Sequence, residues 1–208
     1  LSLSVQKGKV SSSFSLDYSQ PVLNASQVSR DVSVSYINSD QAKLGLSDYN
    51  MKKYGLGVSY GVPILFENNR FNLGLNINHT KISGYDVKKL SPSYVDFLNR
   101  YPSPYDQFEL TLGWQRSVLD QSIFPTSGSF QSLNGSYGLP IGYNHIGDSH
   151  KILSLGYYTI NYNGNWFLPL GKTSNRPARF ILNPHVLLGY GDGVGKFDQL
   201  PFFNNFYG

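Results

Sequence analysis

Four glycines at every second position, Gly189, Gly191, Gly193 and Gly195, follow an apolar run in LLGYGDGVGKFDQLPFFNNFYG, the last 22 residues of this 208-residue chain. A glycine loop cradles a phosphate when its spacing is G-x-G-x-x-G and a helix follows, because the helix then points its free N–H groups at the anion. Here the spacing is G-x-G-x-G-x-G and no helical pattern follows, so no nucleotide site is expected. Asp192 and Asp198 lack the alternating oxygen ligands of a calcium loop. His79, His145, His150 and His185 lie on separate segments without an H-x-x-x-H pair, and there is no cysteine. Neither metal nor thiol chemistry is expected. No G-x-S-x-G elbow occurs, so serine hydrolysis lacks its signal. The residues point to no enzyme, no cofactor and no metal. Alternate glycines would instead leave one face of a strand bare, with room for another segment to pack there.

The elements that position these residues are unlike those of an ordinary soluble domain. Only 14% of residues are charged, against roughly 25% in typical soluble proteins. The net charge of +4 is spread along the chain, without the long basic tracts of a nucleic-acid arm. No stretch approaches the ~18 apolar residues of a membrane-spanning helix. The chain opens directly into LSLSV with no signal-peptide pattern.

The dominant periodicity is two, the mark of a strand with two different faces. In RFNLGLNINHT, Phe71, Leu73, Leu75 and Ile77 alternate with Asn72, Gly74, Asn76 and Asn78. KKYGLGVSYGVP and QFELTLGWQR repeat the pattern. Nine strands are expected, at about 1–9, 11–20, 30–38, 50–63, 70–80, 107–118, 128–140, 151–168 and 178–191. One short helix is expected in SPSYVDFLNRY, capped by Ser91 or Ser93, with Val95, Phe97 and Leu98 on its apolar side.

A soluble sandwich would place Lys, Glu and Thr on its second face. Here that face is mostly Gly, Ser and Asn, which suits a crowded or watery lumen, with the apolar face on lipid. The fold class expected is therefore all-β, a transmembrane antiparallel β-barrel. Tyr18, Tyr60 and Trp166 each lie three residues before a proline, and Trp114 ends its strand similarly. These four are expected to form an interface girdle at one rim. Short proline-bearing turns alternate with longer connections such as 81–106, as in outer-membrane barrels. An odd strand count cannot close an antiparallel barrel, so the chain reads as part of a larger one.

LDQSIFPTSGSF, with Phe124, Pro125, Thr126 and Gly128, resembles the F-P-T-x-G periplasmic turn of the BamA family of outer-membrane protein assembly factors. The final residues, GYGDG followed by LPFF and NFY, resemble that family's approach to its large sixth extracellular loop. LSDYNMKKYGLGVSYGVPI is similar to its central barrel, and 93–101 falls where the family carries a short loop helix. The resemblance covers residues 1–208 and implies strands three to eleven of a sixteen-stranded barrel, a partial barrel domain ending in the sixth loop. The family's POTRA domains, first and last strands and V-R-G-F motif have no counterpart in these residues.

What the resemblance implies is a factor that folds and inserts other barrels in the outer membrane of a Gram-negative bacterium. Its partners would be unfolded outer-membrane protein precursors, accessory assembly lipoproteins, its own POTRA domains, and lipid with lipopolysaccharide. Gly189, Gly191, Asp192 and Gly193 would form the loop base, with Phe202, Phe203, Phe206 and Tyr207 as the loop's packing anchors. The alternative is a passive porin or a two-partner-secretion-type translocator. A porin would line its constriction with opposed charges, whereas Asp17, Glu109 and Arg116 are the main charges within the strands.

Overall fold

The computed structural model describes residues 1–22, 27–43, 48–64, 68–140, 154–171, 180–195, 197 and 199–204. Strands β1 (Ser2–Lys7), β2 (Ser11–Gln20), β3 (Ser29–Asp40), β4 (Asn50–Pro63) and β5 (Asn69–Ser83) lead to helix α1 (Pro92–Arg100). Strands β6 (Tyr105–Leu119), β7 (Gly128–Leu139), β8 (Tyr157–Leu170), β9 (Phe180–Leu182) and β10 (His185–Gly193) follow, and a 3-10 turn spans Phe202–Asn204. The strands form one antiparallel sheet in the order β1-β2-β3-β4-β5-β6-β7-β8-β10, with β9 also on β8. Among the described residues β1 and β10 do not pair, so the sheet is open.

Most strands end within about three residues of expectation, and two differ more. The expected strand 178–191 is two segments, because Pro184 has no N–H to give the ladder. Its carbonyl instead accepts the Trp166 N–H at 3.1 Å, and the Asn183 side chain donates to Trp166 O at 2.9 Å. Leu168 opposite Leu182 and Asn165 opposite His185 keep one register, so β9 and β10 continue a single line. The expected strand 151–168 begins only at Tyr157 and runs on to Leu170; residues 151–153 lie outside the described set. The helix starts with Pro92 at its first turn and Ser91 at the N-cap, but the Ser91 hydroxyl meets Ser93 Oγ at 2.9 Å and caps no backbone group.

The two faces separate as the alternation requires. Phe71, Leu73, Leu75 and Ile77 are exposed outward. On the inner face, glycines of β4 let neighbouring polar side chains lie over the backbone: a Cβ at Gly57 would stand 2.5 Å from Asn76 Oδ1 and 2.8 Å from Ser33 Oγ. Any larger residue would have to push aside the polar chains on both sides.

The four residues expected to form a girdle set a condition on the strand tilt. Tyr18 on β2 shares a cross-strand row with Val32, Val58, Leu75, Leu110, Tyr137 and, on β8, Tyr158. Trp166 lies eight residues beyond Tyr158 toward the short-turn rim, across six strand spacings, with Tyr60 and Trp114 at intermediate steps. A level girdle therefore requires strands tilted by about 40°, given ~3.3 Å per residue and ~4.8 Å between strands. Membrane barrels tilt by ~35–45°.

Leu75→Arg is expected to destabilise the assembled barrel by ~2–4 kcal/mol, because it places a cation against lipid near the midplane. Asn76→Arg is expected to cost far less, since it faces Glu109, which the Asn76 amide approaches at 3.5 Å. Urea unfolding of the two variants in detergent checks the order.

Candidate functional site

The chain after β10 folds back onto the inner face of its own strand. Val194 N–H donates to Gly156 O at 3.0 Å, Phe197 N–H to Val194 O at 3.3 Å, and Gly195 between them has φ +72°. A Cβ on Gly193 would stand 2.3 Å from Phe197 O and 2.7 Å from Gln199 N, and one on Gly191 would stand 3.3 Å from Leu200 Cδ2. These two glycines are a bare floor on which Phe197, Gln199 and Leu200 lie. Gly189 faces inward opposite Asn161 and is exposed. Asp192 falls on the outward face opposite Tyr158, and its carboxylate accepts its neighbour's Gly193 N–H at 2.7 Å.

From this floor the 3-10 turn drives Phe202 into a cluster of aromatic rings at the long-loop mouth. Phe202 stacks on Tyr94 of α1 at 4.4 Å and meets Phe97 edge-on at 5.3 Å and Tyr49 at 5.4 Å. Phe203 lies 5.2 Å from Tyr105, and Phe197 lies 5.2 Å from Tyr101. Phe97, Tyr105 and Phe202 are buried. Burial in this cluster, with Tyr94 beside it, pushes the Tyr49 hydroxyl up to about 12. Phe206 and Tyr207 lie outside the described residues.

One further link ties the two sides of the mouth. A single inner-face row runs Ser33, Gly57, Asn76, Glu109, Gly138, Tyr157, Gly193. Because Gly138 has no side chain, the Tyr157 ring lies across it, and its hydroxyl donates to the Glu109 carboxylate. The sequence pattern placed Glu109 on a strand but gave no sign of Tyr157 as its partner; only the register brings them together. The third charge singled out, Arg116, is on the outward face near the short-turn rim, whereas Asp17 shares the inner row of Glu109.

At the opposite rim the F-P-T-S-G turn is organised by a residue that the motif does not include. Asp120 accepts N–H bonds from Thr126 at 2.9 Å and Ser127 at 3.1 Å, and the Thr126 hydroxyl also donates to it. These bonds, the Thr126 hydroxyl first, hold its carboxyl down at about 2. Phe124 is exposed at φ +57°, preceding Pro125, and Gly128 at φ +107° is required because a Cβ there would fall 1.8 Å from Val118 O. An aspartate shortly before a Pro-Thr-Ser turn is a recognisable capping signal. Tyr18, Tyr60, Trp114 and Trp166 all lie on the outward face near this rim. Trp114 Nε1 donates to Asn69 Oδ1 at 3.1 Å.

Among the described residues no group of His, Cys, Asp or Glu could hold a metal. The arrangement binds chain to chain: a loop root, an aromatic seal and a rigid turn.

All 208 residues match the model of the Omp85 superfamily domain. The chain is 28% identical to the outer membrane protein assembly factor BamA of Neisseria meningitidis serogroup B, over 99% of this chain and 25% of that protein. It superposes on the crystal structure of BamA from Haemophilus ducreyi lacking POTRA domains 1–3 with a TM-score of 0.78 at 23% identity, over 98% of this chain and 37% of that one. The chain thus spans about a quarter of the length of the curated relative.

Phe202→Ala is expected to cost about 3–5 kcal/mol, the usual loss for a buried phenylalanine, and Phe203→Ala less because that ring is only partly buried. Unfolding midpoints of the intact protein in urea read both. Asp120 is held below its ordinary value of 3.8, so its contribution is present above about pH 4 and is lost as pH falls through about 2. Asp120→Asn should therefore lower the unfolding temperature at pH 7 and converge with the parent as pH approaches 2. A difference that persists unchanged at pH 2 would rule out the carboxylate as its source.

Proposed function

The chain belongs to the Omp85 superfamily, and from that premise we propose that it is the central part of an outer-membrane barrel that folds and inserts other β-barrel proteins, with no bond made or broken. The observation that carries this reading is the match of the whole chain to the superfamily domain, joined to its likeness to a named assembly factor. In this reading the residues form strands three to eleven of sixteen and end in the sixth extracellular loop. The protein resides in the outer membrane of a Gram-negative bacterium, receives unfolded barrel precursors, and works with periplasmic POTRA domains and accessory lipoproteins.

The physical step is strand templating. An exposed strand edge offers unpaired N–H and C=O groups that an incoming chain can complete. The seam that would do this lies outside these residues, and their part is to keep the rest of the barrel rigid while the seam opens. The aromatic seal at the mouth supports that role, since a loop packed over the lumen restricts free passage. A porin is disfavoured because, of the charges on the described inner wall, Asp17, Asp31, Lys53, Arg70 and Glu109, only the two acids Asp17 and Glu109 share a row, and no row brings opposite charges together.

Depletion of the intact protein tests the proposal. Unrelated outer-membrane barrels are expected to lose their heat-resistant folded form first, with small-solute uptake unaffected at that stage. Normal folding of every barrel alongside lost uptake would sink the assembly reading in favour of a pore. Loss of one secreted protein alone would favour a translocator.

A further inference from the structure

The outward face of β1–β5 changes character in three steps toward the long-loop rim. Leu3, Leu16, Val34, Leu56 and Ile77 form an aliphatic row. The next row holds Phe14, Tyr36, Tyr54 and His79, with Tyr36 and Tyr54 rings 4.9 Å apart and His79 Nδ1 2.6 Å from Asp106. The row beyond reads Lys7, Ser12, Asn38, Lys52, Lys81. It contains hydrogen-bond donors throughout and no acid.

Lys52 and Lys81 are directly opposite each other. Like charges so placed are destabilising unless an anion lies between them. No carboxylate pairs with either among the described residues: Asp106 is taken by His79 and Asp40 by Lys43 at 2.9 Å. A hollow of about 380 Å³ opens at this rim, lined by Lys9, Ser12, Asn38, Lys43 and Lys52 together with Asp40. Beneath it an apolar groove of about 320 Å³ runs between Phe14, Val34, Tyr36, Tyr54, Leu56 and Ile77.

The level is that of a headgroup. Lys52 is eight residues from the girdle residue Tyr60 on the same strand, about 26 Å along the strand and about 20 Å along the membrane normal at the tilt found above. That is the outer edge of an apolar band ~25 Å tall. At the far side of the sheet the corresponding rim carries Tyr158, Tyr190 and Asp192 instead, so the basic row is local to β1–β5.

We propose that the outward rim of β1–β5 is a seat for a phosphate-bearing glycolipid of the outer leaflet, with Lys52 and Lys81 clamping the phosphate and the groove below taking an acyl chain. The seat rests on the outer-membrane placement proposed above and not on the assembly activity, so lipid binding and barrel folding can fail separately.

The test uses the intact protein in detergent micelles with lipid A, its dephosphorylated form and inorganic phosphate as probes. Lipid A is expected to bind, with Lys52→Gln plus Lys81→Gln weakening it by about 25-fold, roughly fivefold per lysine. Binding is expected to fall as salt rises. Lys88→Gln plus Lys89→Gln, an equal charge change on the exposed segment before α1, should leave affinity within twofold. Lys52→Arg plus Lys81→Arg keeps the charge and should keep the binding, which guards against a folding defect in the glutamine pair. Equal affinity for the dephosphorylated lipid, an equal loss in the Lys88 and Lys89 control, or displacement by inorganic phosphate at matched concentration would each overturn the seat.

Discussion

Phe202 is the contact on which the mouth of this sheet depends. It arrives on the segment that follows β10, yet it stacks on Tyr94 of a helix slung between β5 and β6 and touches Tyr49 at the start of β4. Along the sheet β7 and β8 separate β10 from β6, which follows that helix, and four strands, β5 to β8, separate β10 from β4. A contact joining points that the hydrogen-bond ladder keeps apart fixes how far the sheet must bend between them. Backbone pairing alone leaves that bend open, because twist and coil vary widely among sheets of equal register. The Tyr157 hydroxyl on Glu109 acts in the same sense over a shorter span, reaching across Gly138 from β8 to β6.

The glycines follow from that requirement. Side chains on the inner face compete for decreasing space as a sheet bends toward them, and every bulky residue there needs a vacant neighbour. Gly138 is vacant for Tyr157, and Gly191 and Gly193 for the returning loop. On β4, Gly57 makes room for Ser33 and Asn76. The alternate-glycine spacing at Gly191 and Gly193 is the spacing of a floor. Its period of two comes from the pleat, whereas a phosphate loop needs an irregular spacing that turns N–H groups toward one point.

Much of this was legible in the residues. Alternation placed every strand line, because each strand separates two environments of opposite demand, and the prolines marked the short-turn rim. What escaped were features decided by pairing between distant segments. The break at Pro184 leaves the register unchanged, so the alternation carries no trace of it. Asp120 is the exception, a local capping residue whose place shortly before the Pro-Thr-Ser turn was legible. Tyr36, Tyr54, Tyr158 and Tyr190, on the outward face toward the long-loop rim, lack the neighbouring prolines that singled out Tyr18, Tyr60 and Trp166.

The two free edges complete the physical picture. β9 and β10 form one line, so among the described residues the sheet has nine lines, and in an antiparallel meander the first and ninth run the same way. β1 and β10 therefore cannot close on each other in the antiparallel pattern that holds every other pair. Unpaired N–H and C=O groups in hydrocarbon cost several kcal/mol each, and Leu3, Val5, Leu187 and Leu188 on those edge strands are strongly exposed. Further strands must cover both edges in the membrane. β10 then becomes an interior strand, and its returning loop is held between the aromatic seal on one side and newly added wall on the other.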